Sequence, residues 1–218
     1  MPVVLHIEKA TPPDRTPLLE AAAAAAIAVC LDPRAVEPDG EWHDEVTAWT
    51  SGQIRKVTRR ARGTHWEAVQ QLPGVTVRVG TAEARAVVPC RVVDTPPEIT
   101  RLQISGSDLP ADSPGPVPEG VPVLWINPEV PMSAGKAAAQ VGHATMLLAA
   151  LLSPESLARW AANDFRCAVR TPEPAEWKLL VPGDDPGQAW LERRVVAVRD
   201  AGFTEIAPGT VTVIAQLR

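Results

Sequence analysis

Lys136, Gln140 and His143 stand at i, i+4 and i+7 in the stretch Ser133-Ala-Gly-Lys-Ala-Ala-Ala-Gln-Val-Gly-His-Ala144. On a helix that spacing projects all three from one face, while Ala137, Val141, Ala144 and Leu148 form another. Ser133 reads as the N-cap. A cation in the first turn opposes the helix dipole, so Lys136 makes best sense if it meets a phosphate or an oxyanion; a solvated first-turn lysine is the plainer alternative. His143 has the chemistry of a base, but a lone helical histidine is more often structural. The stretch has no G-x-x-x-x-G-K-[ST], so it is not a phosphate loop.

A second group follows the apolar run Val195 to Val198: Asp200, Gly202, Thr204, Pro208-Gly209 and Thr212. An Asp at the carboxyl end of a strand lies where α/β folds collect ligands. It is also an ordinary turn former and helix cap, and both readings of Asp200 stand. The flanking Gly and Pro-Gly mark turns, and the threonines bring hydroxyls near them.

The elements that position these groups are written twice. Pro2 to Glu8 (PVVLHIE) matches Pro122 to Glu129 (PVLWINPE) as an apolar strand, and the Ala-rich run from Thr16 matches the one from Gly135 as a helix. Further on, Trp49 and Arg55 overlay Trp160 and Arg166, and Trp66 falls opposite Trp177 at the same offset. Thr95 to Ile104 is set against Ala207 to Leu217 as a Pro-containing turn and an alternating strand. Each half therefore reads strand, helix, helix, strand, helix, strand, strand, an α/β unit with a partly parallel sheet. Between the halves, Ser105 to Pro122 is rich in Pro, Gly, Ser and acids and reads as a linker. The expected division is 1–104, a linker at 105–121, and 122–218.

Composition limits the partners. The 218 residues include 23 Pro and seven Trp, enough apolar material for a core, and carry a formal charge of -5. The apolar run Leu18 to Leu31 is too short to span a membrane, which needs roughly 18 residues, and lacks the basic start of a signal peptide. No membrane association and a cytosolic location are expected. Cys30, Cys90 and Cys167 are odd in number and without a C-x-x-C, so neither a disulfide framework nor a zinc site is suggested. The net charge argues against a nucleic-acid partner only while it is averaged, because Arg55, Lys56, Arg59, Arg60 and Arg62 crowd one segment. A solvated strand edge is the plain reading of that cluster. Lysine occurs only at positions 9, 56, 136 and 178, so each one draws attention.

Met132, Gly135-Lys136, Ala138-Ala139-Gln140 and His143-Ala144, with Asp200-Ala201-Gly202, Thr204, Ile206, Pro208-Gly209-Thr210 and Thr212, resemble the peptidyl-tRNA hydrolase type II family. The resemblance covers the second half. It implies a mixed four-stranded sheet flanked by helices, and hydrolysis of the ester between a peptide, or an N-blocked amino acid, and the tRNA 3′ ribose. It carries a catalytic role to Lys136, Asp200, Thr204 and Thr212, with Gln140 and His143 as buttresses, and calls for no metal or cofactor. Ester hydrolysis needs an oriented water, a proton acceptor and positive charge where the carbonyl oxygen gains charge, which those residue types supply.

The second half departs from the family in basic charge: Asn127, Pro131 and Ala134 stand where an Arg and several Lys are usual. The first half departs in its site, with Pro17, Ala21 and Ala24 opposite Lys136, Gln140 and His143 and no Asp-Ala-Gly. Yet its Trp49-Thr-Ser-Gly-Gln-Ile-Arg-Lys-Val segment is closer to the family pattern than the second half's own. As the family is typically homodimeric, the chain is expected to be a fused pseudo-dimer, monomeric in solution, in which Arg55, Lys56, Arg59 and Arg60 supply tRNA contacts. The rival expectation is a noncatalytic RNA-binding or regulatory module of the same fold. A third is hydrolysis of another small acyl ester.

Overall fold

In the computed structural model, residues 1–202 and 206–218 are described. The first half runs β1 (Pro2–His6), α1 (Arg15–Leu31), α2 (Pro33–Val36), α3 (His43–Thr50), β2 (Val57–Ala61), α4 (Thr64–Val69), β3 (Gly74–Val79), β4 (Ala82–Val87) and α5 (Pro97–Thr100). The second runs β5 (Val123–Ile126), α6 (Ala134–Leu151), α7 (Pro154–Ala161), β6 (Ala168–Arg170), α8 (Pro174–Leu180), α9 (Pro186–Arg193), β7 (Val195–Arg199) and β8 (Val211–Gln216). The strands form two four-stranded mixed sheets with one topology, β2-β1-β4-β3 and β6-β5-β8-β7. In each sheet the two strands joined by the long helix are parallel and the remaining pairs antiparallel. The expected α/β class with mixed sheets flanked by helices is what the chain adopts.

Burial follows the alternation of the strands. Val3 and Leu5 of β1, with Leu124 and Ile126 of β5, face one continuous core that holds both Ala-rich helices. Val4 turns the other way onto Trp66 of α4, Ile99 of α5 and Leu102. Val123 and Trp125 likewise turn onto Trp177 of α8 and Ala189 of α9. Helices α1 and α6 are apolar on nearly all sides because each is covered by its own sheet on one side and by the other helix on the next. Alanine and Gly142 allow that close approach, and Thr145 Oγ1 donates to Ala23 O at 3.1 Å across the helix pair.

Two tryptophans repeat a detail. Trp49 Nε1 donates to Arg55 O at 3.3 Å, and Trp160 Nε1 donates to Arg166 O at 2.8 Å, each closing the turn between a helix and its edge strand. Two of the sequence correspondences change. Val57 N donates to Met1 O and Ala168 N to Pro122 O, so Pro122 takes the place of Met1 and not of Pro2. The counterpart of β8 in the first sheet is β4, whereas Thr95–Ile104 contributes α5: Pro96 and Pro97 start a helix whose Ile99 fills the outer core.

The segment between the sheets is largely exposed but anchored at several points. Ser107 is buried, and its Oγ accepts from Gly135 N at 3.0 Å at the start of α6. Asp112 accepts from Thr16 N at 3.1 Å and from Thr16 Oγ1 at 2.7 Å at the start of α1, where Asp14 makes no side-chain cap. Leu109 joins the central core and Val117 the outer one.

Candidate active site

Helix α6 brings in the polar stripe. Ser133 Oγ accepts from Lys136 N at 3.1 Å, the cap that the sequence suggests. With Gly135 N bonded to Ser107 and Lys136 N to Ser133, two of the first amides are satisfied within the protein. The anion-binding capacity at this point therefore rests on the Lys136 side chain rather than on these amides.

The β7–β8 hairpin brings in the acid. Asp200 follows β7 directly, and its backbone closes the turn by donating to Thr210 O at 2.9 Å and accepting from Gly209 N at 2.7 Å. Gly202 has φ +78, and a Cβ there would lie 2.4 Å from Pro208 Cγ, so the turn requires glycine at this position. Gly202 N donates to Asp200 Oδ1 at 2.8 Å.

The two groups meet. Lys136 Nζ pairs with Asp200 Oδ2, and Gln140 Nε2 donates to the same oxygen at 3.1 Å. Thr212, fully buried in β8, donates from Oγ1 to Gln140 Oε1 at 2.6 Å, which fixes the amide orientation that Asp200 needs. Lys136, Asp200 and Gln140 lie along one wall of an open cavity of about 650 Å³, with Thr212 buried behind Gln140. Burial opposes ionisation of Asp200, but the Lys136 hydrogen bond and charge and the Gly202 amide hold its carboxyl below the usual carboxylate range. It is a carboxylate at neutral pH.

His143 also lines the cavity. Burial and the nearby Lys56 and Lys136 charges push its imidazole down to about 3, so it is neutral at pH 7. Its Nδ1 lies 3.3 Å from Lys56 Nζ, a lysine of the first half. Thr204 lies outside the described residues. No group of three His, Cys, Asp or Glu able to hold a metal occurs among the described residues, and no described helix is long and apolar enough to cross a membrane.

The basic segment divides. Arg55 and Lys56 line the cavity. Arg59 instead donates from Nη1 to Leu102 O at 2.7 Å, and the Arg60 guanidinium bonds Gln103 Oε1, both along the outer edge formed by β2. Pro17, Ala21 and Ala24 bring no polar side chain to the matching stretch of α1, where Ala21 and Ala24 are buried. Sequence reasoning missed Thr58, Arg199 and Met146 as cavity residues. For Thr58 a signal existed: two residues after Lys56, it shares the side of the strand that Lys56 faces.

Comparison with known families falls on this half. Residues 121–216 match the family model described as peptidyl-tRNA hydrolase PTH2. The match contains β5 to β8 with Lys136, Gln140, His143, Asp200 and Thr212, and so the whole hydrogen-bonded series. No curated protein matches the chain.

Proposed function

We propose that the chain hydrolyses the ester joining a peptide, or an N-blocked amino acid, to the 3′ ribose of tRNA. The observation that carries this reading is the Lys136–Asp200 pair, held by Gln140 and Thr212 on the wall of an open cavity, inside the stretch that matches a peptidyl-tRNA hydrolase family. The Lys136 ammonium stands ready for the negative charge that develops on the carbonyl oxygen. Asp200 has low proton affinity, so its role is to hold Lys136 and to orient water more than to keep a proton. Gln140 is fixed in one orientation by Thr212 and cannot compete for the wrong atom. His143, neutral and half-buried on the cavity wall, positions its neighbours.

The second half is the hydrolase domain in this reading, residues 122–218. Residues 1–104 take the place of a second subunit, and 105–121 join the two. The shared strand order and the paired Trp hydrogen bonds support descent of both halves from one unit. The site of action is the cytosol, where peptidyl-tRNA is made. The test is release of N-acetyl amino acid and free tRNA from N-acetyl-aminoacyl-tRNA by the purified full chain, with a small acyl ester as comparison. Turnover of the tRNA ester that falls roughly 100-fold or more in Asp200→Asn supports the reading. Binding without turnover points to a noncatalytic RNA-binding module, and turnover of the small ester alone to a different esterase.

A further inference from the structure

Lys56 and Thr58 come from the half that lacks the acid and the polar helix stripe, yet both line the cavity that contains them. The Lys56 stem passes over α6 at Gly142, where a Cβ would sit 3.2 Å from Lys56 Cδ and Cε and 3.1 Å from Ala26 Cβ. Among the described residues its Nζ meets uncharged acceptors, His143 Nδ1 at 3.3 Å and Met146 Sδ at 2.9 Å, with the Trp49 ring centroid at 5.2 Å. Among the described residues no carboxylate pairs with it. Burial pushes its amine down to about 7, against an ordinary value of about 10.4. A half-buried lysine without a described counter-ion weakens the fold, which an apolar side chain of equal length would not do. Thr58 is 8% exposed, and its Oγ1 makes no hydrogen bond among the described residues. A buried hydroxyl of this kind ordinarily has a partner.

The charge of the cavity points the same way. Beyond the Lys136–Asp200 pair, Lys56 and Arg199 line it, and Asp200 is the one carboxylate in its described lining. Ile104 and Leu147 add exposed apolar wall. A surplus of cations and an orphan hydroxyl beside an apolar face suit a phosphate with an attached sugar and base. At the position before β6 that matches Lys56, the second half has Cys167, buried against Glu20 O of α1. Each half thus holds what the other lacks for one cavity.

We propose that the active site is composite: Lys56 and Thr58 of the first half bind a phosphate at the 3′ end of the RNA substrate, beside the Lys136–Asp200 pair of the second. The inference rests on the hydrolase reading for its substrate class but differs from it in what it requires of residues 1–104. The cation must be charged to bind. The groups that face it are His143 and Lys136 on α6, Cys30 on α1, Arg55 before β2 and the Met1 amino group. Of these, the Met1 amine is pushed down to about 5 and Cys30 up to about 11, so Lys56 is the one that changes charge near pH 7.

The experiment uses the full chain and its Lys56→Met, Lys56→Arg and Thr58→Val variants. It measures kcat/KM on N-acetyl-aminoacyl-tRNA from pH 6 to pH 9, binding of a fluorescent CCA trinucleotide, and thermal midpoint. The expected result is a roughly 10- to 100-fold loss of kcat/KM and a matching loss of trinucleotide affinity in Lys56→Met, with a raised midpoint. The wild type should lose kcat/KM as pH rises through about 7, and Lys56→Arg should not. A lysine with only a structural role would lower the midpoint instead and leave the pH profile in place. If the wild type hydrolyses the ester and Lys56→Met and Thr58→Val match it in kcat/KM and affinity, the composite site is wrong and the hydrolase reading stands. If the wild type does not hydrolyse but binds the trinucleotide through Lys56, the hydrolase reading fails and the phosphate site stands. Activity that rises through pH 7 and depends on Lys56 makes it a base and overturns the phosphate role.

Discussion

Thr212 Oγ1 touches no solvent, and its role is to aim Gln140 at Asp200. Thr212→Val keeps the shape and removes that donor, which leaves Gln140 Oε1 buried without a partner and costs about 1–3 kcal/mol. Chemical denaturation of Thr212→Val should show that loss, and turnover should fall with it as the amide loses its orientation. Lys56 adds a pH signature. The unfolded chain holds its proton up to about pH 10.4 while the folded chain releases it near 7. Lys56 alone should therefore make stability rise with pH between 7 and 9, by at most about 1.4 kcal/mol per unit, and the Met1 amine, pushed down to about 5, adds to the rise below pH 8. Above pH 9 the Cys30 thiol, pushed up to about 11, and the buried Cys167 thiol, pushed up further, act in the opposite sense. Lys56→Met should flatten the rise between 8 and 9, read as denaturant midpoint against pH. At the acid end, Asp200 contributes stability that is present above about pH 4 and lost as pH falls through its lowered folded value. Lys136 and Asp200 were legible from helix spacing and strand-end position, but their pairing was not, because 64 residues separate them. Lys56 stood out by rarity alone. Only the fold puts it beside His143.

The Ala-rich helices carry little of their own definition. They are fixed by burial between sheets and by caps borrowed from the connecting segment, Asp112 on α1 and Ser107 on α6. Asp112→Ala and Ser107→Ala should each cost about 1 kcal/mol, seen as a lower denaturant midpoint at unchanged slope. The repeat of strand, helix and Trp was readable because period and aromatic spacing survive in both halves. The register was not: Pro122 matches Met1 rather than Pro2, a one-residue difference that only the pairing with β2 and β6 decides. Thr95–Ile104 misled for a local reason. Its prolines suit a helix start as well as a turn before a strand, and tertiary packing of Ile99 decides between them.

Across the whole molecule the two sheets are alike and the two halves of the site are not. Helix α6 holds Lys136, Gln140 and His143 where α1 offers Pro17, Ala21 and Ala24, while β2 is preceded by Lys56 and β6 by Cys167. A homodimer of the second half alone would lack the lysine, and one of the first half the acid. In our reading the α1–α6 contact replaces a subunit interface, so the chain should run as a monomer near its mass of 23.3 kDa by light scattering; twice that mass would contradict the pseudo-dimer. The net charge of -5 is no obstacle to an RNA end, because the described lining of the cavity is cationic. The most direct measurement is kcat/KM for release of N-acetyl amino acid from N-acetyl-aminoacyl-tRNA by the full chain and by its Asp200→Asn variant. The account predicts turnover by the former and a loss of roughly 100-fold or more in the latter; equal rates for the two proteins, or no release by either, would contradict it.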